Sequence, residues 1–214
     1  MIKLIIFDFD GTLGDTQRNI VLTLQQTMKT LGLAVQDEET CTATIGLTLG
    51  DSFRRMYPEL DETRINECLD TYRRLFDENK KILVPALFPG VVETLDTLKK
   101  KGLTMSIASS RSSKSLNEFL TDMGIADYMS FVIAGDHVEK GKPDPEPVLK
   151  TLAALGADAS ETLVVGDMPV DMFMGRRAGA ITCGVTWGNA TRQDLQDAGA
   201  DYIIDDMTDL PVIL

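Results

Sequence analysis

Asp8 and Asp10 stand two residues apart where an apolar run, Leu4-Ile5-Ile6-Phe7, gives way to Gly11. Carboxylates held that close repel, and one of them takes up a proton unless a cation sits between them. Mg²⁺ suits such a place. It prefers hard oxygen ligands, keeps several waters and is commonly held by one or two carboxylates together with a substrate phosphate. Capping of a loop is the plainer use of aspartates at a strand end.

Three later clusters extend the pattern. Ser109-Ser110-Arg111-Ser112 follows the run Leu103-Thr104-Met105-Ser106-Ile107-Ala108 and precedes a helix. The free N–H groups and positive dipole end of that helix, with the hydroxyls before it, make an anion site, although a serine there also serves as an N-cap. Gly141-Lys142-Pro143 is a stiff loop in which Pro143 keeps Lys142 extended. Its ammonium can neutralise a phosphate or sit on the surface as an ordinary lysine. Leu163-Val164-Val165-Gly166-Asp167 brings a further carboxylate to a strand end, and Asp171 follows near a helix start, where a capping role is also open to it.

The elements that must position these groups follow from periodicity. Neighbours two apart in a strand point the same way, so Asp8 and Asp10 share a side while Phe9 faces away. A continuous apolar run is the mark of a central parallel strand buried on both faces, and ligands bind at the carboxyl end of such sheets. From Thr16 to Leu83 the apolar residues recur at helical spacing, as in Ile20, Leu24, Met28 and Leu31, and then Ile65, Leu69, Tyr72 and Phe76. No strand is predicted in that stretch, and Pro85 to Gly90 reads as a return linker. Beyond it helices and strands alternate, with strands at Leu103 to Ala108, Phe131 to Ala134, Thr162 to Val165, Ala180 to Val185 and Tyr202 to Ile204. The pattern predicts an α/β fold, a doubly wound parallel sheet with an inserted α-helical unit.

The chain of 214 residues is long enough for a sizeable core, and its formal charge of −12 speaks against a nucleic-acid partner, which needs a concentrated basic surface. Cys41, Cys68 and Cys183 are odd in number and widely spaced, so neither a disulfide framework nor a zinc site is expected. No stretch approaches the length of a membrane span and the N-terminus lacks a signal peptide, which predicts a cytoplasmic protein with no membrane partner.

With these four clusters in order, the sequence resembles the haloacid dehalogenase superfamily of phosphotransferases over essentially its whole length. Asp8-Phe9-Asp10-Gly11-Thr12-Leu13 resembles the family's first motif, Ser109 its second, Lys142 its third and Gly166-Asp167-x-x-x-Asp171 its fourth. The helical insertion is similar to the cap of the subgroup that contains phosphoglycolate phosphatase, β-phosphoglucomutase and a pyrophosphatase. The resemblance implies a core of residues 1–15 and 84–214 with a cap of residues 16–83. It also implies Asp8 as nucleophile and Asp10 as acid and then base. Mg²⁺ would be held by Asp8, by Asp10 through its backbone carbonyl and by Asp167, with Asp171, Thr12 and Arg111 in support. Ser109, the amide of Ser110 and Lys142 would hold the transferring oxygens.

The activity so implied is Mg²⁺-dependent hydrolysis of a small phosphate monoester, phosphoglycolate-like, through an aspartyl phosphate, by a monomer or homodimer. Pyrophosphate or a 5'-nucleotide is the alternative substrate, followed by mutase-like phosphotransfer and by noncatalytic binding of a phosphorylated ligand. Three positions depart from the family pattern. Arg111 stands where many members have Lys, Met168 where Ser or Thr is frequent, and Ile20 where the mutases carry a His, which ranks mutase below hydrolase. His137, the only histidine, and the cap residues Arg54 and Arg55 are read as solvated.

Overall fold

The computed structural model describes residues 1–214. Six parallel strands form the main sheet: β1 (Leu4–Phe7), β4 (Thr104–Ala108), β5 (Phe131–Ile133), β6 (Thr162–Gly166), β7 (Ile181–Val185) and β8 (Tyr202–Ile204), in the order β5-β4-β1-β6-β7-β8. β1 is central. The chain builds outward on one side through β4 and β5, then returns to place β6 against the other edge of β1, in register Phe7↔Val165. The crevice above β1 and β6 is therefore the topological switch point, where a doubly wound sheet binds its ligands.

Alternation along β1 explains its position. Ile5 and Phe7 enter an apolar cluster on one face with Ile107, Val165 and Phe119, whereas Leu4 and Ile6 enter a second cluster on the other with Val148, Val164 and Met174. Each fully buried side chain of this size contributes roughly 1.5–3 kcal/mol. Helices α5 (Val91–Lys100), α6 (Ser113–Asp122), α7 (Glu146–Leu155), α8 (Pro169–Arg177) and α9 (Arg192–Asp197) cover the faces.

The insertion carries α1 (Gln17–Thr30), α2 (Glu38–Thr42), α3 (Leu49–Met56) and α4 (Glu62–Asn79). The helices pack on one another through their own cluster, which includes Val21, Leu24, Met28, Phe53 and Ile65. Both ends of the insertion meet in a feature the pattern reading treats only as a linker: β2 (Gly14–Asp15) pairs antiparallel with β3 (Ala86–Leu87). Two-residue strands leave no periodicity to read, so only the return of the chain reveals this ribbon. Elsewhere the strand limits move by one residue, as at Phe131–Ile133 and Ile181–Val185. No helix is long and apolar enough to cross a membrane.

Candidate active site

Asp8 leaves β1 at the switch point, with its N–H donating to the Val165 carbonyl at 2.8 Å. Asp167 follows the adjacent β6, and Asp171 lies in the first turn of α8. The carboxylates of Asp8, Asp167 and Asp171 are all buried, and one oxygen of each lies within 4.8 Å of the others. Lys142, only 6% exposed, reaches into this group from its loop. Its ammonium donates to Asp8 and lies 2.7 Å from Asp171 Oδ1. Asp171 also accepts from the Met168 N–H at 3.1 Å, so its two oxygens divide between capping α8 and facing the site.

Three ionised carboxylates and one ammonium leave this buried cluster with an excess of two negative charges. Burial, reinforced by the charges of Asp171 and Asp10 and opposed by Lys142, pushes Asp8 up to about 7. Burial and the charges of Asp8 and Asp171 likewise raise Asp167 well above the ordinary carboxylate range. Burial also works against the Lys142 ammonium, but the two carboxylates outweigh it and hold the proton more firmly than usual. Asp171 Oδ1 has the Lys142 ammonium, at 2.7 Å, as its close partner. Three buried carboxylates offering hard oxygen donors, whose full ionisation a single ammonium does not balance, fit a divalent cation such as Mg²⁺.

Asp10 turns away from that trio. The Arg111 guanidinium grips its carboxylate through Nε at 2.7 Å and through a terminal nitrogen at 2.6 Å, and the Thr16 hydroxyl donates to the same group at 2.5 Å. Asp8 and Asp10 thus sit close together but have different partners. Ser109 is buried at the end of β4, and its hydroxyl accepts from the Arg111 N–H at 3.2 Å. Ser110 donates instead to the Gly46 carbonyl of the insertion at 2.6 Å. Ser112 caps α6. Thr12 is fully buried, 3.4 Å from Asp167. His137 is exposed, its ring accepting from the Ala134 N–H and its carbonyl from Lys150, while Arg54 pairs with Glu62 and Asp51 at the surface.

Two further residues escape the motif reading. Asn189 donates both its backbone N–H, at 2.7 Å, and its side-chain amide, at 2.6 Å, to Asp167 Oδ2. The other oxygen, Oδ1, accepts from the Thr12 hydroxyl at 3.4 Å. Thr16 is the second, through its bond to Asp10. Asn189 follows the carboxyl end of β7, and that placement at a fourth neighbouring strand end is the one signal that points to it. Close approach is enforced by glycine: a Cβ at Gly11, which has a φ of +88°, or at Gly188 would overlap Asp167.

Over the site lies a cleft of about 510 Å³ between core and insertion. Ile20, Leu24, Leu69 and Tyr72 line it from above, and Asp8, Ser110 and Lys114 from below.

Carboxylates gathered at the switch point of a doubly wound sheet, beneath a helical insertion, place the chain among the α/β enzymes that work at strand ends. The model of the haloacid dehalogenase-like hydrolases matches residues 5–185. The chain belongs to that family and is a phosphatase of it. It is 36% identical over 212 residues to a protein of Dickeya dadantii named probable phosphatase IndB, covering 98% of this chain and 92% of the relative. Identity is 34% over 213 residues to pyrophosphatase PpaX of Anoxybacillus flavithermus, covering 100% and 97%. Identity is 32% over 194 residues to phosphoglycolate phosphatase of Aquifex aeolicus, covering 87% and 85%. A solved haloacid dehalogenase-like hydrolase from Bacteroides fragilis superposes with a TM-score of 0.88 at 30% identity, covering 98% of this chain and all of that one.

Proposed function

We propose that the protein hydrolyses a small phosphate monoester, phosphoglycolate-like, in a Mg²⁺-dependent reaction through a phosphorylated Asp8. The observation that carries this reading is the buried Lys142 ammonium set between Asp8 and Asp171, beside a carboxylate trio that lacks two positive charges. Asp8, Asp167 and the backbone carbonyl of Asp10 would hold the cation, with Asp171 in support. When bound, Mg²⁺ supplies charge neutralisation that lets an anionic nucleophile approach an anionic phosphate.

An oxygen of Asp8 attacks phosphorus while the bond from phosphorus to the leaving oxygen breaks, and Asp10, released from the Arg111 fork and protonated, gives that oxygen a proton. Asp10, now ionised, takes a proton from the water that attacks the phosphoryl group, and the bond to Asp8 breaks to release inorganic phosphate. Ser109, the Ser110 amide and Lys142 cradle the transferring oxygens, whose charge is spread over the whole group in the transition state. The insertion acts as a cap, with the β2–β3 ribbon as its hinge, and its closure excludes bulk water.

Pyrophosphate is the second reading, favoured by the name carried by the Anoxybacillus relative. The test is phosphate release from p-nitrophenyl phosphate with Mg²⁺ or with EDTA, followed by kcat/KM over phosphoglycolate, mononucleotides, hexose phosphates and pyrophosphate. The reading requires turnover that EDTA removes and that Asp8→Asn abolishes. A preference of about tenfold for one substrate corresponds to about 1.4 kcal/mol of transition-state binding. Release of phosphate by Asp8→Asn at the wild-type rate would overturn the mechanism.

A further inference from the structure

Lys142 belongs to no strand or helix, yet its ammonium is buried between Asp8 and Asp171. A lysine side chain is long and flexible, so its tip keeps one place only if the backbone that carries it is held. On the near side of Lys142 that hold comes from a carboxylate. Glu146, the first residue of α7, turns back onto the loop, and its two oxygens accept from the backbone N–H groups of Glu139 at 3.0 Å and Lys140 at 2.8 Å. Lys150, one turn further along α7, pairs with Glu146 at 2.7 Å and donates to the His137 carbonyl at 2.9 Å. Beyond Lys142, Arg177 donates to the Pro143 carbonyl at 2.9 Å from α8, the helix whose first turn carries Asp171. The bond from Lys150 and those from the two backbone N–H groups draw the Glu146 carboxyl down to about 2, so it stays charged where ordinary carboxylates titrate.

We infer that Glu146 is a positioning residue for Lys142: it holds the two N–H groups just ahead of the lysine and so sets the backbone from which the ammonium reaches the site. The inference rests on the role proposed for Lys142 in holding the transferring oxygens. The positive end of α7 favours an acidic residue in its first turn whatever that residue touches. What a dipole does not require is the use of both oxygens on successive backbone donors of a loop that carries a buried lysine. Transition-state neutralisation depends on where the charge sits, and a misplacement of about 1 Å costs up to about 100-fold in rate.

The experiment is a double-mutant cycle on Glu146→Gln and Lys142→Met. It is read in binding of inorganic phosphate to the Mg²⁺-supplied protein by 31P NMR, in kcat/KM for p-nitrophenyl phosphate and, without ligand, in urea unfolding in EDTA. Glu146→Gln keeps the size of the side chain but turns one accepting oxygen into a donor. It is expected to weaken phosphate binding about fivefold and to lower kcat/KM at least about tenfold, while in the Lys142→Met background it adds nothing to either. Glu146→Asp keeps a charge beside Lys150 and α7 but is too short to reach both N–H groups. It should recover most of the unfolding midpoint and less than a third of the lost kcat/KM.

Phosphate binding and kcat/KM within twofold of wild type for Glu146→Gln, effects that multiply with those of Lys142→Met, or full recovery by Glu146→Asp would overturn the role. The two Glu146 variants decide the matter even where Lys142→Met does not fold. Should the wild-type protein bind no phosphate and release none from any substrate, the proposed function fails. The cycle in unfolding still tests the hold on Lys142, whose contacts with Asp8 and Asp171 need no ligand. Lys142→Met should cost less stability in the Glu146→Gln background than alone, and additive costs there overturn the role by themselves, because effects of independent sites add.

Discussion

Replacing Asp8 by Asn should destroy activity and, in the absence of metal, make the protein more stable. Burial is the main reason the Asp8 carboxyl is raised from 3.8 to about 7, and Lys142 offsets only part of it. Between those values the native protein holds a proton that the unfolded chain has released. Stability of the metal-free protein is therefore fully present below about pH 4 and is lost progressively as the pH rises to about 7. At 1.36 kcal/mol per pH unit, the ionised Asp8 costs about 4 kcal/mol at pH 8. Asparagine carries no charge and leaves Lys142 its contact with Asp171. Its amide must itself be satisfied in the buried site, which takes back about 1–2 kcal/mol.

The expected net gain is about 2–3 kcal/mol at pH 8, and it shrinks steadily towards pH 5. For a domain of this size that raises the melting temperature by roughly 4–12 °C. Thermal melts followed by circular dichroism in EDTA, wild type against Asp8→Asn at pH 5, 6, 7 and 8, measure it. A variant that melts below the wild type at pH 8, or a difference that does not depend on pH, would refute the account of a site strained by its own charge.

Three other expectations follow from the same geometry. Mg²⁺ should raise the melting temperature of the wild type more at pH 8 than at pH 5.5, because the raised Asp8 and Asp167 must lose protons before they bind a cation; saturation at 100 times Kd contributes about 2.7 kcal/mol. Equal shifts at both pH values would count against those two residues as ligands. Asn189→Ala removes one of the two donors that orient Asp167, and titration calorimetry should show Mg²⁺ affinity weaker by about 10- to 100-fold with the fold intact. Lys142→Met leaves three buried carboxylates with no ammonium, and in EDTA at pH 8 urea unfolding should show a loss of about 3–5 kcal/mol, much of it recovered by Mg²⁺.

Much of the fold is legible along the chain because each strand and helix declares its own period. The apolar run of β1 needs no knowledge of its neighbours to be read as buried on both faces, and its side chains do divide between the two core clusters. The acidic and hydroxyl residues are legible for a related reason. A polar group that directly follows a buried strand is at the carboxyl edge wherever that strand lies in the sheet. The β2–β3 ribbon is not legible, since strands of two residues are too brief to show a period. Thr16 and Asn189 belong to no local pattern, since a lone hydroxyl or amide in a turn looks the same whether or not it bonds a carboxylate far away in sequence.

What the amino-acid order determines by itself is therefore which residues stand at strand ends, and with them the supply of carboxylates, hydroxyls and one lysine to a single edge of the sheet. Only the tertiary structure decides how they divide. It sets Lys142 among Asp8 and Asp171, turns Asp10 away to Arg111, and brings Phe76 from a helix of the insertion against the guanidinium. Periodicity acts within one element, whereas the charge balance of a buried cluster is fixed by whichever side chains the returning chain brings within a few ångströms of it.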